Sequence, residues 1–388
     1  MKIYTDNIDS LRKNADLLKS GFVMTRPQGL IDSFCLLMDF YSVIKDFGQK
    51  PDFETEKILE KNTKNCEIVY QKLRALSKRR LQSFIDNKEV HNNIAFKMVK
   101  IYDRDFIIRS IKPLYLNENQ MSEIICDFLN DEFNQADSFK KMAEEGRIIK
   151  SGLGKIEEER NTAGFTLYDY LNNNSFIALS NDPSLVDIQL MSTIIHEFGH
   201  VNDNFNRRFF SKKENFSYKT LSSYSEVYSI LYEKLFLDHL IKNRIFKSNS
   251  HTQLAFLCAE IYNNFNKLGY LSTLDDNILN NEKYKKRVED LKAQANVDDE
   301  IELINEAVLG DFNDIYTYSY SGLIAFYFSY LKQNDPDMFN KMFENFKSRR
   351  FRVFDPGIFD EIGTSKEEII KIHSECLDRL TGKKLILQ

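Results

Sequence analysis

Residues 182–205 read DPSLVDIQLMSTIIHEFGHVNDNF, and this stretch has the periodicity of a helix that is buried along one side. Apolar side chains recur in it every three or four positions, at Ile188, Met191, Ile195, Phe198 and Phe205. Asp182 followed by Pro183 is a typical helix start, because aspartate caps the first amides and proline has no amide that needs a partner there. The stretch therefore predicts one long helix that begins near residue 182.

The same helix carries the motif His196-Glu197-Phe198-Gly199-His200 next to its apolar side. Four residues advance a helix by about 400°, so His196 and His200 project from nearly the same face, one turn apart. Two neutral imidazoles placed in this way can bind one Zn²⁺ ion, and Glu197 lies beside them as a base for a water molecule. The motif therefore predicts two ligands of a zinc site and its general base.

A catalytic zinc needs a third protein ligand, and the next predicted helix, 222–243, offers Glu226. Ser229 and Glu233 fall on the same face as Glu226, so Glu233 can reach the second nitrogen of a histidine and fix its tautomer. Two alternatives stay open at this point. Glu226 can instead belong to a capping box with Ser223, and Glu233 can be a solvated surface acid.

Composition favours a mainly helical protein with a small β-sheet. The 388 residues include 14 glycines and 6 prolines, whereas the average usage of about 12 % would give more than twice that total. Further helical patterns cover about 29–47, 54–87, 92–110, 119–147, 252–268, 281–308, 319–332 and 365–380. Two runs do not have this helical spacing and are predicted to be short strands just before the histidine helix: Gly164–Tyr168 and Ser175–Leu179. A boundary near residue 115 separates a helical N-terminal lobe, 1–115, from the region with the chemistry, 116–388.

Charge and cysteine content indicate a cytoplasmic protein that binds neither nucleic acid nor membrane. Lys and Arg number 53 against 58 Asp and Glu, whereas nucleic-acid binders are usually basic. The 5 cysteines are scattered without a CxxC pair, which is typical of reduced thiols. We expect neither a secretion signal at the N-terminus nor a stretch of about 20 apolar residues that could span a membrane.

These motifs together resemble the thimet oligopeptidase and oligoendopeptidase F family of zinc metallopeptidases. The resemblance rests on the HExxH motif, a gap of 25 residues and the pattern Glu226-x-x-Ser229-x-x-x-Glu233. It extends upstream to the strand 176–179 and downstream to the tyrosine-rich segment 316–322, so it covers about 145–345. The resemblance implies a two-lobed, mostly helical body whose deep channel admits short peptides and excludes folded proteins.

The resemblance also implies a role for each site residue. His196, His200 and Glu226 would bind one Zn²⁺ per chain, and Glu197 would act as the general base. The strand Phe176-Ile177-Ala178-Leu179 would bind the substrate backbone by edge pairing.

The tyrosine-rich segment is the candidate source of a hydrogen bond to the oxyanion. Tyr316, Tyr318 and Tyr320 lie close together in it, and packing is the alternative role for all three. The family places a histidine just before this segment, but this chain has none between His251 and His373.

The sequence thus predicts a cytoplasmic zinc metalloendopeptidase that hydrolyses short peptides, with its oligomeric state left open. One alternative is a catalytically degenerate protein that holds zinc and binds peptides or a partner. The missing histidine supports this alternative, whereas the retained Glu197 favours an enzyme. A metalloprotease of another family with a protein substrate is a further alternative, which the lack of a secretion signal disfavours.

Overall fold

The computed structural model places most of the residues that it describes in helices. It describes residues 1–21, 40–41, 43–45, 50, 52–53, 55–57, 110–150, 163–169, 174–179, 187–211, 224, 226–273, 286, 300–348 and 358–381. The helices are α1 (Asp9–Gly21), α2 (Glu118–Phe133), α3 (Ala136–Glu144), α4 (Asp187–Ser211), α5 (Glu226–Lys242), α6 (Lys247–Thr273), α7 (Glu300–Asn334), α8 (Pro336–Ser348), α9 (Ile358–Glu361) and α10 (Lys366–Thr381). The strands are β1 (Ile148–Lys150), β2 (Gly164–Asp169) and β3 (Asn174–Leu179).

The predicted fold class, mainly α with a small sheet before the histidine helix, is confirmed. The pattern over 119–147 is not one helix, however. Asn134 adopts a left-handed conformation with φ 54° and ψ 44°, which ends α2 and leaves α3 as a separate helix. The proposed helix start at Asp182 and most of the patterns over 29–47, 54–87, 92–110 and 281–299 lie outside the described residues.

The sheet has the order β1-β3-β2, with β1 parallel and β2 antiparallel to β3. Ile177 of β3 is in register with Ile148 on one side and Thr166 on the other. The prediction that residues 176–179 bind a substrate by edge pairing is therefore wrong. β3 is the central strand, so its backbone groups on both sides already belong to the sheet.

The chain divides into two compact units, each made of several segments. The first comprises Met1–Val69, Ile108–Tyr218 and Tyr228–Leu254, and the second comprises Tyr70–Ile107, Lys219–Val227 and Ala255–Gln388. The boundary near residue 115 and the two-lobed layout stay predictions. Among the described residues, no helix is long and apolar enough to cross a membrane.

In the first unit, the sheet lies between helices. One face packs against α1, where Leu11 joins Leu167 and Phe176 in a buried apolar cluster. On the other side, β2 and β3 pack against α4. Of the apolar positions predicted on α4, Ile188, Met191, Ile195 and Phe198 are buried, and the side chain of Phe205 lies outside the described residues. The ring of Phe198 meets that of Phe139 edge to face at 5.5 Å between centroids.

The second unit is built around α7, which packs against α8 and α10. Phe328 of α7 makes edge-to-face contacts with Phe343 and Phe346 of α8, with centroids 5.4 and 5.5 Å apart. These aromatic pairs help to hold the C-terminal half of α7 against α8.

Candidate metal centre

The helices α4 and α5 approach each other unusually closely at Gly199. A Cβ atom on Gly199 would lie 2.6 Å from the Cα of Ser229 and 2.9 Å from the carbonyl oxygen of Tyr228. Both neighbours are backbone atoms, so a side chain here would push the helices apart. The glycine of the HExxH motif therefore brings the histidines of α4 next to the acids of α5.

His196, His200 and Glu226 form a group that can hold a metal ion. One donor atom from each lies within 4.8 Å of the other two, and the two imidazole centroids are 5.1 Å apart. Ligands that bind zinc tetrahedrally at about 2.0–2.1 Å lie about 3.4 Å from one another, so small side-chain rotations would complete the site. Two imidazoles and a carboxylate are a donor set suited to Zn²⁺. Among the described residues, this is the group of three side chains that could hold a metal ion.

The ring orientation of His196 is set from α5. Oε2 of Glu233 lies 3.1 Å from Nδ1 of His196, and the Ser192 hydroxyl donates to Oε1 of Glu233 at 2.7 Å. An ionised carboxylate accepts hydrogen bonds, so Nδ1 carries the proton and Nε2 keeps its lone pair for a metal. Glu233 is 8 % exposed, which excludes the alternative that it is a solvated surface acid.

The alternative role of Glu226 as a capping acid involves Ser223, which lies outside the described residues. Glu226 itself is the first residue of α5 in the structure and is half-buried. The predicted companion Ser229 is fully buried, and its backbone forms the contact with Gly199. Spacing on one helix thus brings Glu226, Ser229 and Glu233 to the side of α5 that the histidines meet.

Glu197 lies on α4 where this helix meets β2. Its side chain is 5 % exposed, and the Thr166 hydroxyl lies 2.8 Å from its Oε2. Sequence reasoning missed both Thr166 and Ser192. For Ser192 a local signal exists, since it precedes His196 by one helical turn, but for Thr166 the partner is 31 residues away and no local pattern indicates it.

The three candidate tyrosines lie on α7. Tyr320 is fully buried and stacks on Phe359 at 5.8 Å between centroids, and burial together with Tyr224 raises its pKa well above the usual value. Its phenol therefore stays protonated at neutral pH. Tyr318 is 40 % exposed, and the side chain of Tyr316 lies outside the described residues. Their roles in catalysis stay predictions.

Comparison with known proteins gives one distant structural similarity. The sequence matches no protein-family model and no curated protein. Among solved structures, the fold is similar to a protein from Chlamydophila abortus that is provisionally described as a peptidase. The TM-score is 0.44 at 15 % sequence identity, and the alignment covers 99 % of this chain and 66 % of that chain. The chain thus spans just under two thirds of the length of the protein that it matches.

We expect Gly199→Ala to destabilise the protein and to weaken metal binding. The new methyl group would meet the α5 backbone, and overpacking of this kind costs about 1–3 kcal/mol. The free energy of unfolding and the zinc dissociation constant measure the two effects. Gly322→Ala is the matched control, because its Cβ would meet the Ile261 side chain in the second unit. It should leave zinc affinity unchanged, and unchanged zinc affinity in Gly199→Ala as well would contradict the prediction.

Proposed function

We propose that this chain is a zinc-dependent peptidase that hydrolyses short peptides. The observation that carries the proposal is the group His196, His200 and Glu226, with Glu197 between the two histidines in sequence and buried beside them. A helix that only needed to hold a metal would have no use for a buried carboxylate next to its ligands. The combination of two imidazoles, a carboxylate ligand and an adjacent base is that of a metal-assisted hydrolase.

Zinc at this site would polarise the scissile carbonyl and lower the pKa of a bound water molecule toward about 7. The remaining roles belong to the chain's own residues. The carboxylate of Glu197 accepts the proton of the attacking water and then donates it to the leaving amine. Without this transfer the amine would leave as an anion, which is why the base must also serve as the acid.

The supporting residues keep the ligands in place during this reaction. Glu233 accepts a hydrogen bond from Nδ1 of His196, so rotation of the His196 ring would break that hydrogen bond. Ser192 in turn donates to the other oxygen of Glu233 and keeps this carboxylate in place. Outer partners of this kind raise the basicity of the ligand and fix its tautomer. Ser192 and Glu233 therefore belong to the proposed mechanism as orienting residues.

The proposed substrates are short peptides, and this part of the proposal rests on the sequence resemblance. The family likeness in the HExxH and ExxSxxxE motifs points to peptide bonds rather than to other amides or esters. Because β3 is the central strand of the sheet, the proposal places the substrate backbone elsewhere than along residues 176–179. Tyr316, Tyr318 and Tyr320 remain the candidate donors to the oxyanion, with packing as the alternative for all three. The family resemblance favours Tyr318 and Tyr320.

The proposal predicts metal-dependent cleavage of a mixed library of peptides about a dozen residues long. The purified full chain is incubated with the library alone, with a chelator, and with a chelator followed by excess Zn²⁺, and the products are identified by mass spectrometry. We expect new peptide termini that disappear on chelation and return with zinc. Cleavage that persists with the chelator would overturn the metal mechanism. Zinc-loaded protein that retains peptides without cutting them would favour the degenerate binding protein instead.

A further inference from the structure

We propose that Thr166 is a positioning residue, whose hydroxyl holds the Glu197 carboxylate in the orientation needed for proton transfer. The inference rests on the proposed function, because it gives Thr166 a role in that reaction. It concerns a strand residue that the HExxH motif does not include. The positions of β2 and of the Glu197 side chain support it.

Strand β2 lies against α4 at the level of Glu197. A Cβ on Gly164 would lie 2.9 Å from Cγ2 of Thr193 and 3.3 Å from Cγ of Glu197. Side chains two positions apart in a strand point to the same face, so Thr166 follows Gly164 on the face toward α4. Leu167 faces the apolar cluster on the other side of the sheet. Because Gly164 has no side chain, β2 can approach α4 closely at this point, and the Thr166 hydroxyl then contacts the Glu197 carboxylate.

The hydroxyl of Thr166 has one hydrogen and two acceptors within reach. Oε2 of Glu197 is 2.8 Å away, and the backbone oxygen of Glu197 is 3.0 Å away. The carboxylate is the closer acceptor and carries the charge, so it takes the hydrogen bond. Thr166 is itself fixed in the sheet by its pairing with Ile177 of the central strand. The sheet therefore holds the backbone that carries this short donor side chain, whereas the acceptor side chain is longer and has more rotatable bonds.

This contact divides the two oxygens of Glu197 between two tasks. Oε2 accepts from Thr166, whereas no hydrogen bond from the described residues reaches Oε1. The proposal gives Oε1 the task of accepting the proton of the water. A hydroxyl that fixes Oε2 reduces the number of carboxylate orientations and keeps Oε1 in one place, which is the preorganisation that a base needs.

The test compares Thr166→Val with Thr166→Ser in the full chain loaded with zinc. Valine keeps the shape and the β-branch but removes the donor, whereas serine keeps the donor. Loss of a hydrogen bond to a charged group is expected to lower kcat about 10- to 100-fold in Thr166→Val, with KM and zinc content unchanged. Thr166→Ser should stay within about threefold of the wild type. Thr193→Val, the same change in the neighbouring residue on α4, is the control and should retain full kcat.

A crystal structure of each metal-free variant provides a readout that does not depend on activity. The Glu197 carboxylate should keep its position in Thr166→Ser and leave it in Thr166→Val. Equal kcat in Thr166→Val and the wild type, an equal loss in the serine variant, an unchanged carboxylate position in the valine variant, or lowered zinc content would each overturn the inference. These outcomes leave the proposed function intact if the wild type cleaves peptides. Absence of zinc-dependent cleavage by the wild type would overturn both.

Discussion

Glu197→Gln is expected to lower peptide turnover by about 10²–10⁴-fold, the range over which general acid–base catalysis contributes to rate. Glutamine keeps the length of the side chain and can still accept the hydrogen bond from Thr166, but it cannot take the proton of the attacking water. Because Glu197 is not among the residues of the metal group, the zinc content should stay the same. Measurement of kcat at saturating peptide, with zinc determined on the same samples, separates the two effects.

The matched control for this substitution is Glu123→Gln on the exposed side of α2. It removes the same charge from the same unit and should leave both kcat and zinc content unchanged. If Glu197→Gln cleaves peptides as fast as the wild type, Glu197 is not the base. If the variant loses zinc, its loss of turnover reports metal affinity, and the assignment of the base to Glu197 fails.

His200→Ala is expected to raise the zinc dissociation constant by more than about 100-fold. Changes of residues that only support a metal ligand already cost about 10- to 100-fold in affinity, so removal of a ligand should cost more. Metal content after dialysis against a weak chelator of known zinc affinity gives the constant. Glu226→Ala should show a loss of the same order, because its carboxylate completes the group with the two histidines.

Two further variants provide zinc affinities with which that of His200→Ala can be compared. Glu233→Gln should show the smaller loss, about 10- to 100-fold, because it contacts His196 without belonging to the metal group. His251→Ala removes an imidazole on α6 whose Nδ1 lies 2.6 Å from the carbonyl oxygen of Lys247, and its zinc affinity should equal that of the wild type. Equal zinc affinity in His200→Ala and His251→Ala would refute the assigned site.

Local periodicity predicted much of the candidate site. The i, i+4 spacing of His196 and His200 places them on one face of a helix, whatever the rest of the fold. The same reasoning put Glu233 on the face of Glu226, and the structure brings it to His196. No role was predicted for Gly199, which lies between the histidines. Its role is to let α4 and α5 approach, and this depends on the α5 backbone being within van der Waals distance.

Strand order, in contrast, depends on contacts that lie far apart in the sequence. The run Phe176-Ile177-Ala178-Leu179 was identified as a strand, but β1, which flanks it, has three residues and no clear signal. An uninterrupted apolar run is typical of a strand buried on both faces, and that feature argues for the centre of the sheet rather than its edge. The contact of the Thr166 hydroxyl could not be predicted because its acceptor lies 31 residues away. Ser192 lies one helical turn before His196, but its acceptor is 41 residues away, so this position alone did not identify the contact.

The most direct test of a single catalytic zinc is a titration of the metal-free protein with Zn²⁺ while peptide turnover is followed. The single-zinc mechanism predicts no turnover without metal, a linear rise on addition of zinc, and a plateau at one zinc ion per chain. Full turnover in the metal-free protein, or none when one zinc ion per chain is bound, would contradict it.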